Sequence, residues 1–191
     1  MKIIAGEFRS RVLSTPPGVK TRPTMSQVRA RVFNICQESV ADCRFLDICA
    51  GSGSMGLEAI SRGASSATFI EQSRDSAEVI RHNIQLLGVA DKSHLLCQEA
   101  SLALQGLISK NKCFDICYLD PPYGSQVGTI LSLLDTSSLL VEGAYFFMER
   151  NAKTPLDISS LQHLQLKSSR RVGDTLLYCF RRPFSKQEGH L

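Results

Sequence analysis

From residue 44 onward, short apolar runs alternate with amphipathic stretches. The runs near 44–49, 66–71, 93–97, 113–119 and 143–149 have the length and aliphatic content of strands buried on both faces. Helical spacing predicts helices near 54–62, 74–88, 100–108 and 126–134; in the second, Ala77, Ile80, Ile84 and Leu87 share one face. Such alternation predicts a doubly wound α/β sheet. Residues 162–169 and 174–182, on either side of Gly173-Asp174, read as an antiparallel hairpin that closes the sheet. Lys2 to Leu13, with Gly6 inside and Pro16-Pro17-Gly18 after it, reads as a short hairpin or extended arm outside the sheet core. Thr24 and Gln27 have capping-box spacing, and the following helix, to about Ser39, should bury Met25, Val28, Val32, Ile35 and Cys36 and turn its arginines outward. The expected organisation is an N-terminal basic arm over residues 1–23 and one α/β domain over 24–191.

Charge adds a second pattern. Residues 1–31 carry seven basic side chains against Glu7 alone, residues 32–150 carry 8 basic and 14 acidic, and residues 151–191 carry seven basic and three acidic. An acidic middle between basic ends suits a catalytic body with a margin for a polyanion, although a solvated basic face has the same signature. No apolar run approaches the roughly 18 residues of a membrane span, and the start lacks a signal-peptide pattern, so a cytoplasmic location is expected. Seven cysteines without a Cys-x-x-Cys pair argue against a disulfide framework and a zinc site. Cys49, Cys97, Cys117 and Cys179 lie in apolar runs and read as small buried hydrophobes. No metal site, no membrane contact and a monomeric state are expected.

The sharpest local feature is Phe45 to Glu58, an apolar strand that enters Ala50-Gly51-Ser52-Gly53 and then a helix containing Gly56. Gly51 and Gly53 allow a sharp turn and close approach to a ligand, and Gly56 allows helix and strand to pack tightly. Glu71 ends the next strand, where a carboxylate can accept both hydroxyls of a ribose. Together these residues describe a nucleoside site and leave its ligand open. A dinucleotide would set its pyrophosphate on the helix N-terminus. S-adenosylmethionine has no phosphate and needs an acid for its amine, which Asp47 offers.

The second feature is Phe114 to Leu119 running into Asp120-Pro121-Pro122-Tyr123. At the carboxyl end of a parallel strand it would face the same crevice as the glycine loop. Two prolines remove two N–H donors, so the turn offers acceptors: the Asp120 carboxylate and the Pro121 carbonyl. An exocyclic amine on a base is a weak nucleophile because its lone pair is delocalised into the ring. Accepting both of its N–H bonds favours the pyramidal geometry that frees the pair. Tyr123 can stack on the base.

The order Ile4-Ala5-Gly6 with Arg9 and Arg11, Thr21-Arg22-Pro23-Thr24, Val28-Arg29, Phe33-Asn34, Leu46-Asp47 through Gly56-Leu57-Glu58-Ala59, Ser61-Arg62-Gly63-Ala64, Glu71, Asn83 and Asp120-Pro121-Pro122-Tyr123 strongly resembles the RsmD family of bacterial 16S ribosomal RNA guanine-N2 methyltransferases. The resemblance runs from about residue 3 to 149. It implies a Rossmann-like class I fold with a seven-stranded, mostly parallel sheet, S-adenosylmethionine as cofactor, and a guanine N2 acceptor in a small-subunit assembly intermediate. It implies that Asp47, Ala50, Gly51, Ser52, Gly53 and Gly56 hold the methionine part, Glu71 the ribose, and Glu99 with Ala100 the region near the adenine amine. Asp120, Pro121 and Tyr123 would be the catalytic set. Arg9, Arg11, Arg22 and Arg29 are the expected grip on RNA phosphates. The chain departs from the family pattern at Ser26-Gln27 and at Ser73-Arg74, where Asp-Arg is usual.

Other readings remain open in the sequence. The Asp-Pro-Pro-Tyr tetrad also resembles N6-adenine methyltransferases acting on nucleic acid, although no segment is long enough for a target-recognition region. A nicotinamide-dependent dehydrogenase would use the same glycine loop but leaves the tetrad without a role, and a non-catalytic RNA-binding factor would not need it. His82, His94, His163 and His190 show no ligand spacing, and Arg170-Arg171 and Arg181-Arg182 fit a charge-guarded strand edge as well as an RNA contact.

Overall fold

The computed structural model describes residues 1–16, 23–122, 127–154 and 156–184. In chain order it contains α1 (Pro23–Ile35), β1 (Arg44–Ile48), α2 (Ser54–Ser61), β2 (Ser66–Ile70), α3 (Arg74–Leu87), β3 (Ser93–Leu96), α4 (Ala100–Ser109), β4 (Phe114–Leu119), α5 (Gly128–Thr136), β5 (Leu140–Asn151), β6 (Gln165–Val172) and β7 (Thr175–Arg181). The strands form one seven-stranded sheet in the order β3-β2-β1-β4-β5-β7-β6. The first five are parallel, and β7 runs antiparallel between β5 and β6. The predicted alternation and the closing hairpin are therefore both present, with the turn at Gly173, whose φ is 61°.

Both sheet faces are covered, which is why the central strands read as continuous apolar runs. In β1, Phe45 packs into the cluster beneath α1, α2 and α3, while Leu46 and Ile48 face the cluster beneath α4 and α5. The N-terminal segment stays outside the seven-stranded sheet, as expected, but Ile3 and Leu13, each 2% exposed, belong to the first cluster and anchor it in the core. Lys2 and Val12 pair as an antiparallel bridge. The hairpin turns over the C-terminal half of α2, where the Phe8 N–H donates to Ser61 Oγ at 3.0 Å and the Glu7 N–H to the Ser61 carbonyl at 2.7 Å. Gly6, at φ 86°, lies so close that a Cβ would fall 1.7 Å from the Ser61 oxygen.

Two expectations need correction. The buried face of α1 is Val28, Arg29, Val32 and Phe33, continued by Cys36 just after it, whereas Met25 is half-buried and Ile35 is outward. Among the cysteines, Cys117 and Cys179 are buried as expected, but Cys49 is half-buried and Cys97 is exposed because β3 ends at Leu96. The side chain of Thr24 lies outside the described residues.

Beyond β5, Asp135 of α5 accepts from the backbone N–H groups of Gln162, His163 and Leu164 at 2.7 to 2.9 Å, and this fixes the approach to β6. Arg182 donates from Nη1 to the Asp135 and Ser137 carbonyls, closing the C-terminal end of α5. Arg181 stacks over the Tyr145 ring at 3.6 Å.

Candidate active site

Strand order reverses between β1 and β4, and in an open α/β sheet that point opens a crevice at the carboxyl ends of the strands. The glycine loop leaves β1 there. Cys49, Gly51 and Gly53 all adopt left-handed backbone, with φ of 61°, 58° and 74°. Two of the three are glycines, which take this conformation without cost. A Cβ on Gly51 would meet nothing within 4 Å, so its outer side is open to a ligand, whereas a Cβ on Gly56 would sit 2.3 Å from Phe69. Gly56 thus serves the close helix–strand packing read from the sequence.

The loop's N–H groups are largely committed to the protein. Ala50 donates to the Ile70 carbonyl at 3.0 Å, Gly53 to the Ala50 carbonyl at 2.7 Å, Gly51 to Glu71 Oε2 at 2.8 Å and Gly56 to Asp47 Oδ2 at 3.0 Å. These donors are therefore not free to cradle a phosphate.

What the crevice offers is a cluster of carboxyl groups. Asp47 of β1 is paired in register with Phe69 of β2 and Tyr118 of β4, and Tyr118 with Phe147 of β5. Two residues past those partners come Glu71, Asp120 and Glu149, so alternation brings four carboxylates to one face of four adjacent strands. Asp47 is 1% exposed, and burial, assisted by the charges of Asp120 and Glu71, lifts its pKa to about 8. Asp120 is exposed at its surface, yet the protein packed around it desolvates its carboxyl and lifts it to about 6. Burial raises Glu149 to about 7, and the Tyr118 hydroxyl donates to its Oε1. Glu71 accepts from Gly51 with one oxygen and from Ser73 with the other, at 2.8 Å each. Each Glu71 oxygen keeps a second lone pair for a hydroxyl donor.

Such a site suits a ligand that carries positive charge and hydroxyls and penalises an anionic pyrophosphate. S-adenosylmethionine, with its ammonium, sulfonium and ribose diol, fits these donors and acceptors. Asp120 stands at the same strand ends: its N–H donates to the Ile48 carbonyl at 3.2 Å, which joins the end of β4 to the start of the glycine loop. Pro121 is buried and Pro122 exposed. Tyr123 lies outside the described residues.

Known proteins share this architecture. "Ribosomal RNA small subunit methyltransferase D" of Escherichia coli is 31% identical over 157 residues, covering 82% of this chain and 77% of that protein. The protein of the same name from Haemophilus influenzae is also 31% identical over 157 residues, covering 82% and 81%. Among solved structures, "Putative methyltransferase yhhF" from Escherichia coli superposes with a TM-score of 0.81 at 27% identity, covering 97% of this chain and 99% of that one. The family model "Conserved hypothetical protein 95" matches residues 1–181. The chain belongs to this family, the RsmD family.

The remaining RsmD-like positions separate into two groups. Ala50 is half-buried in the loop, Ser52 is 7% exposed, and Ala100 is buried at the start of α4. Glu99 is exposed and caps α4: its Oε2 accepts from the Leu102 N–H at 3.0 Å, and backbone donors, that of Ser101 foremost, hold its pKa low. Arg9 and Arg11 are exposed on the N-terminal hairpin, and Arg22 lies outside the described residues. Arg29 does not join a phosphate-facing surface. It is 2% exposed, donates from Nη2 to the Lys2 carbonyl at 2.6 Å, and pairs with Glu58 at 3.4 Å.

Two residues that the motifs include without a role prove central. Glu58, 0% exposed, accepts from the Ile4 and Ala5 N–H groups at 2.8 and 3.0 Å and from Arg62 Nε at 2.8 Å. Asn83, also 0% exposed, bonds to Ser14 and Ser52. In each case the sequence signal is a polar residue on the apolar stripe of a helix.

Proposed function

We propose that this chain transfers a methyl group from S-adenosylmethionine to the exocyclic N2 amine of a guanine in 16S ribosomal RNA, in the cytoplasm, on a small-subunit assembly intermediate. The supporting observation is that the glycine loop and Asp120 open onto one crevice, joined by the Asp120-to-Ile48 hydrogen bond. The named activity of relatives that share 31% identity supports the substrate class.

In this reading Asp47 meets the ammonium of the cofactor, Glu71 the ribose hydroxyls, and the open side of Gly51 lets the ligand approach the backbone. Glu99 and Ala100 stand at the adenine end. When bound, S-adenosylmethionine supplies an electrophilic methyl carbon on a sulfonium. The protein's task is to present a nitrogen lone pair to it. Asp120 and the Pro121 carbonyl accept the two N–H bonds of the amine, Tyr123 stacks on the base and holds it in line, and the Asp120 carboxylate takes up the proton that the amine loses. Arg9, Arg11 and Arg22 contact phosphates. Arg29 has no part in that contact, because its guanidinium is spent inside the fold.

Incubating the protein with labelled cofactor and immature small subunits, free 16S RNA or duplex DNA tests the acceptor. Mass spectrometry of ribosomal RNA nucleosides from cells with and without the protein tests the product. Loss of one N2-methylguanosine is expected; an unchanged nucleoside profile, or labelling of DNA instead, overturns the proposal.

A further inference from the structure

Asn83 makes three hydrogen bonds, and they join two segments with different tasks. Its Nδ2 donates to the Ser52 carbonyl, between the two left-handed glycines of the loop, at 3.0 Å. The same amide nitrogen donates to the Ser14 carbonyl at 3.0 Å, and Oδ1 accepts from the Ser14 N–H at 2.9 Å. Both amide hydrogens are thus used, and the pairing with Ser14 is a two-point contact that fixes orientation as well as distance. The side chain is 0% exposed, so no water can replace a lost bond cheaply.

Ser14 follows the hairpin residue Leu13, which is seated in the core, and leads directly into the segment that carries Arg22. Ser52 belongs to the cofactor loop. A single side chain on α3 therefore sets the position of both, and movement of the hairpin end is transmitted to a carbonyl of the loop. The rest of the hairpin is bolted to α2 through Glu58 and Ser61, on the helix that the same loop opens into.

We propose that Asn83 is a positioning residue that couples the N-terminal hairpin to the cofactor loop, so that RNA engaged by the hairpin and ligand held by the loop bind cooperatively. This rests on the function proposed above. RNA held by the hairpin further restrains Ser14, and through the Asn83 amide Ser52, so the loop bears less ordering cost when the ligand enters. Linkage then requires the ligand to tighten RNA by the same factor.

The test is equilibrium dialysis of labelled S-adenosylhomocysteine with and without immature small-subunit particles prepared from cells that lack the protein. The wild type should bind S-adenosylhomocysteine about fivefold or more tightly when particles are present, within the usual range of such couplings. In Asn83→Leu, close in size but unable to bond, the ratio should fall to about one, and KM for cofactor and for particles should rise together while kcat at saturation holds. Ser14→Pro removes the N–H donated to Asn83 but leaves the Ser14 carbonyl, and, provided its fixed φ is shown to leave the melting temperature unchanged, it should lower the ratio while leaving binding of S-adenosylhomocysteine alone unchanged; it carries the test if Asn83→Leu does not fold. A folded variant that keeps the wild-type ratio overturns the coupling. Wild type that binds both ligands with a ratio of one overturns the coupling and spares the proposed function, whereas wild type that binds neither overturns both.

Discussion

Asp47 and Asp120 sit at the ends of neighbouring strands, and the charge of Asp120 adds to burial in holding Asp47 protonated near neutral pH. In the proposed reading, the carboxyl that meets the ammonium of the ligand is mostly protonated in the free protein at pH 7 and releases its proton when the ligand arrives.

Affinity for S-adenosylmethionine should thus rise as pH increases toward about 8, with proton release on binding below that value. Calorimetry in buffers of different ionisation enthalpy measures the release, and an affinity independent of pH between 6 and 8 would contradict the assignment.

The same shift has a stability sign. A carboxyl whose folded pKa is raised from 3.8 to about 8 contributes stability at low pH that is lost as pH rises through that window. Asp47→Asn keeps an oxygen for the Gly56 N–H and removes the titration. Its melting temperature should exceed that of the wild type at pH 9, while its affinity for S-adenosylmethionine drops about tenfold or more, close to the 1.4 kcal/mol that a tenfold change represents.

In the proposed reaction Asp120 can take up the proton of the amine only when ionised, and its pKa of about 6 predicts a single-turnover rate that falls as pH drops below 6. Asp120→Ala should slow transfer by roughly 10² to 10⁴ and leave affinity for S-adenosylhomocysteine nearly intact. Rapid-quench measurement of methylated RNA decides it; retained activity would remove Asp120 from the chemistry.

Exposed and buried arginines should behave differently. Arg9→Ala and Arg11→Ala should each lower the slope of log affinity for RNA against log salt by about 0.7 to 1 without changing the melting temperature. Arg29→Ala should leave the slope alone and destabilise the fold by about 3 kcal/mol or more, because it breaks a buried pair with Glu58. Filter binding across a salt series, alongside denaturant unfolding, separates the two effects.

Gly56→Ala would press a methyl group into Phe69, and overpacking of this kind costs about 1 to 3 kcal/mol. Gly6→Ala meets backbone rather than a movable side chain and also requires left-handed φ, so it should lift the hairpin from α2. Hydrogen exchange at the Phe8 N–H, bonded to Ser61, reports that release.

The strands of the parallel sheet and the glycine loop were legible because each is encoded locally, by an apolar run or by residues that permit a turn. The start of β6 was not. Residues 162–164 look like strand, yet their N–H groups are taken by Asp135, and the ladder begins at Gln165. Arg29 reads as an outward residue because its partners, Lys2 and Glu58, lie 27 and 29 positions away and leave no trace in helical periodicity. The crevice carboxylates could be picked out one by one, except Glu149, whose place beside the site follows from sheet register rather than from any motif. Their mutual effect on pKa depends on distances that only the folded sheet supplies.

The opening hairpin also constrains the order in which the molecule is completed. Its hydrogen-bond partners at Glu58, Ser61 and Asn83 stand 53 to 69 residues further along the chain. At synthesis rates of roughly 5 to 20 residues per second, the hairpin residues wait about 3 to 14 seconds before their last anchor has been made. The hairpin can therefore dock fully only after the chain has been made through Asn83, and the glycine loop gains its Ser52 tether at that same point.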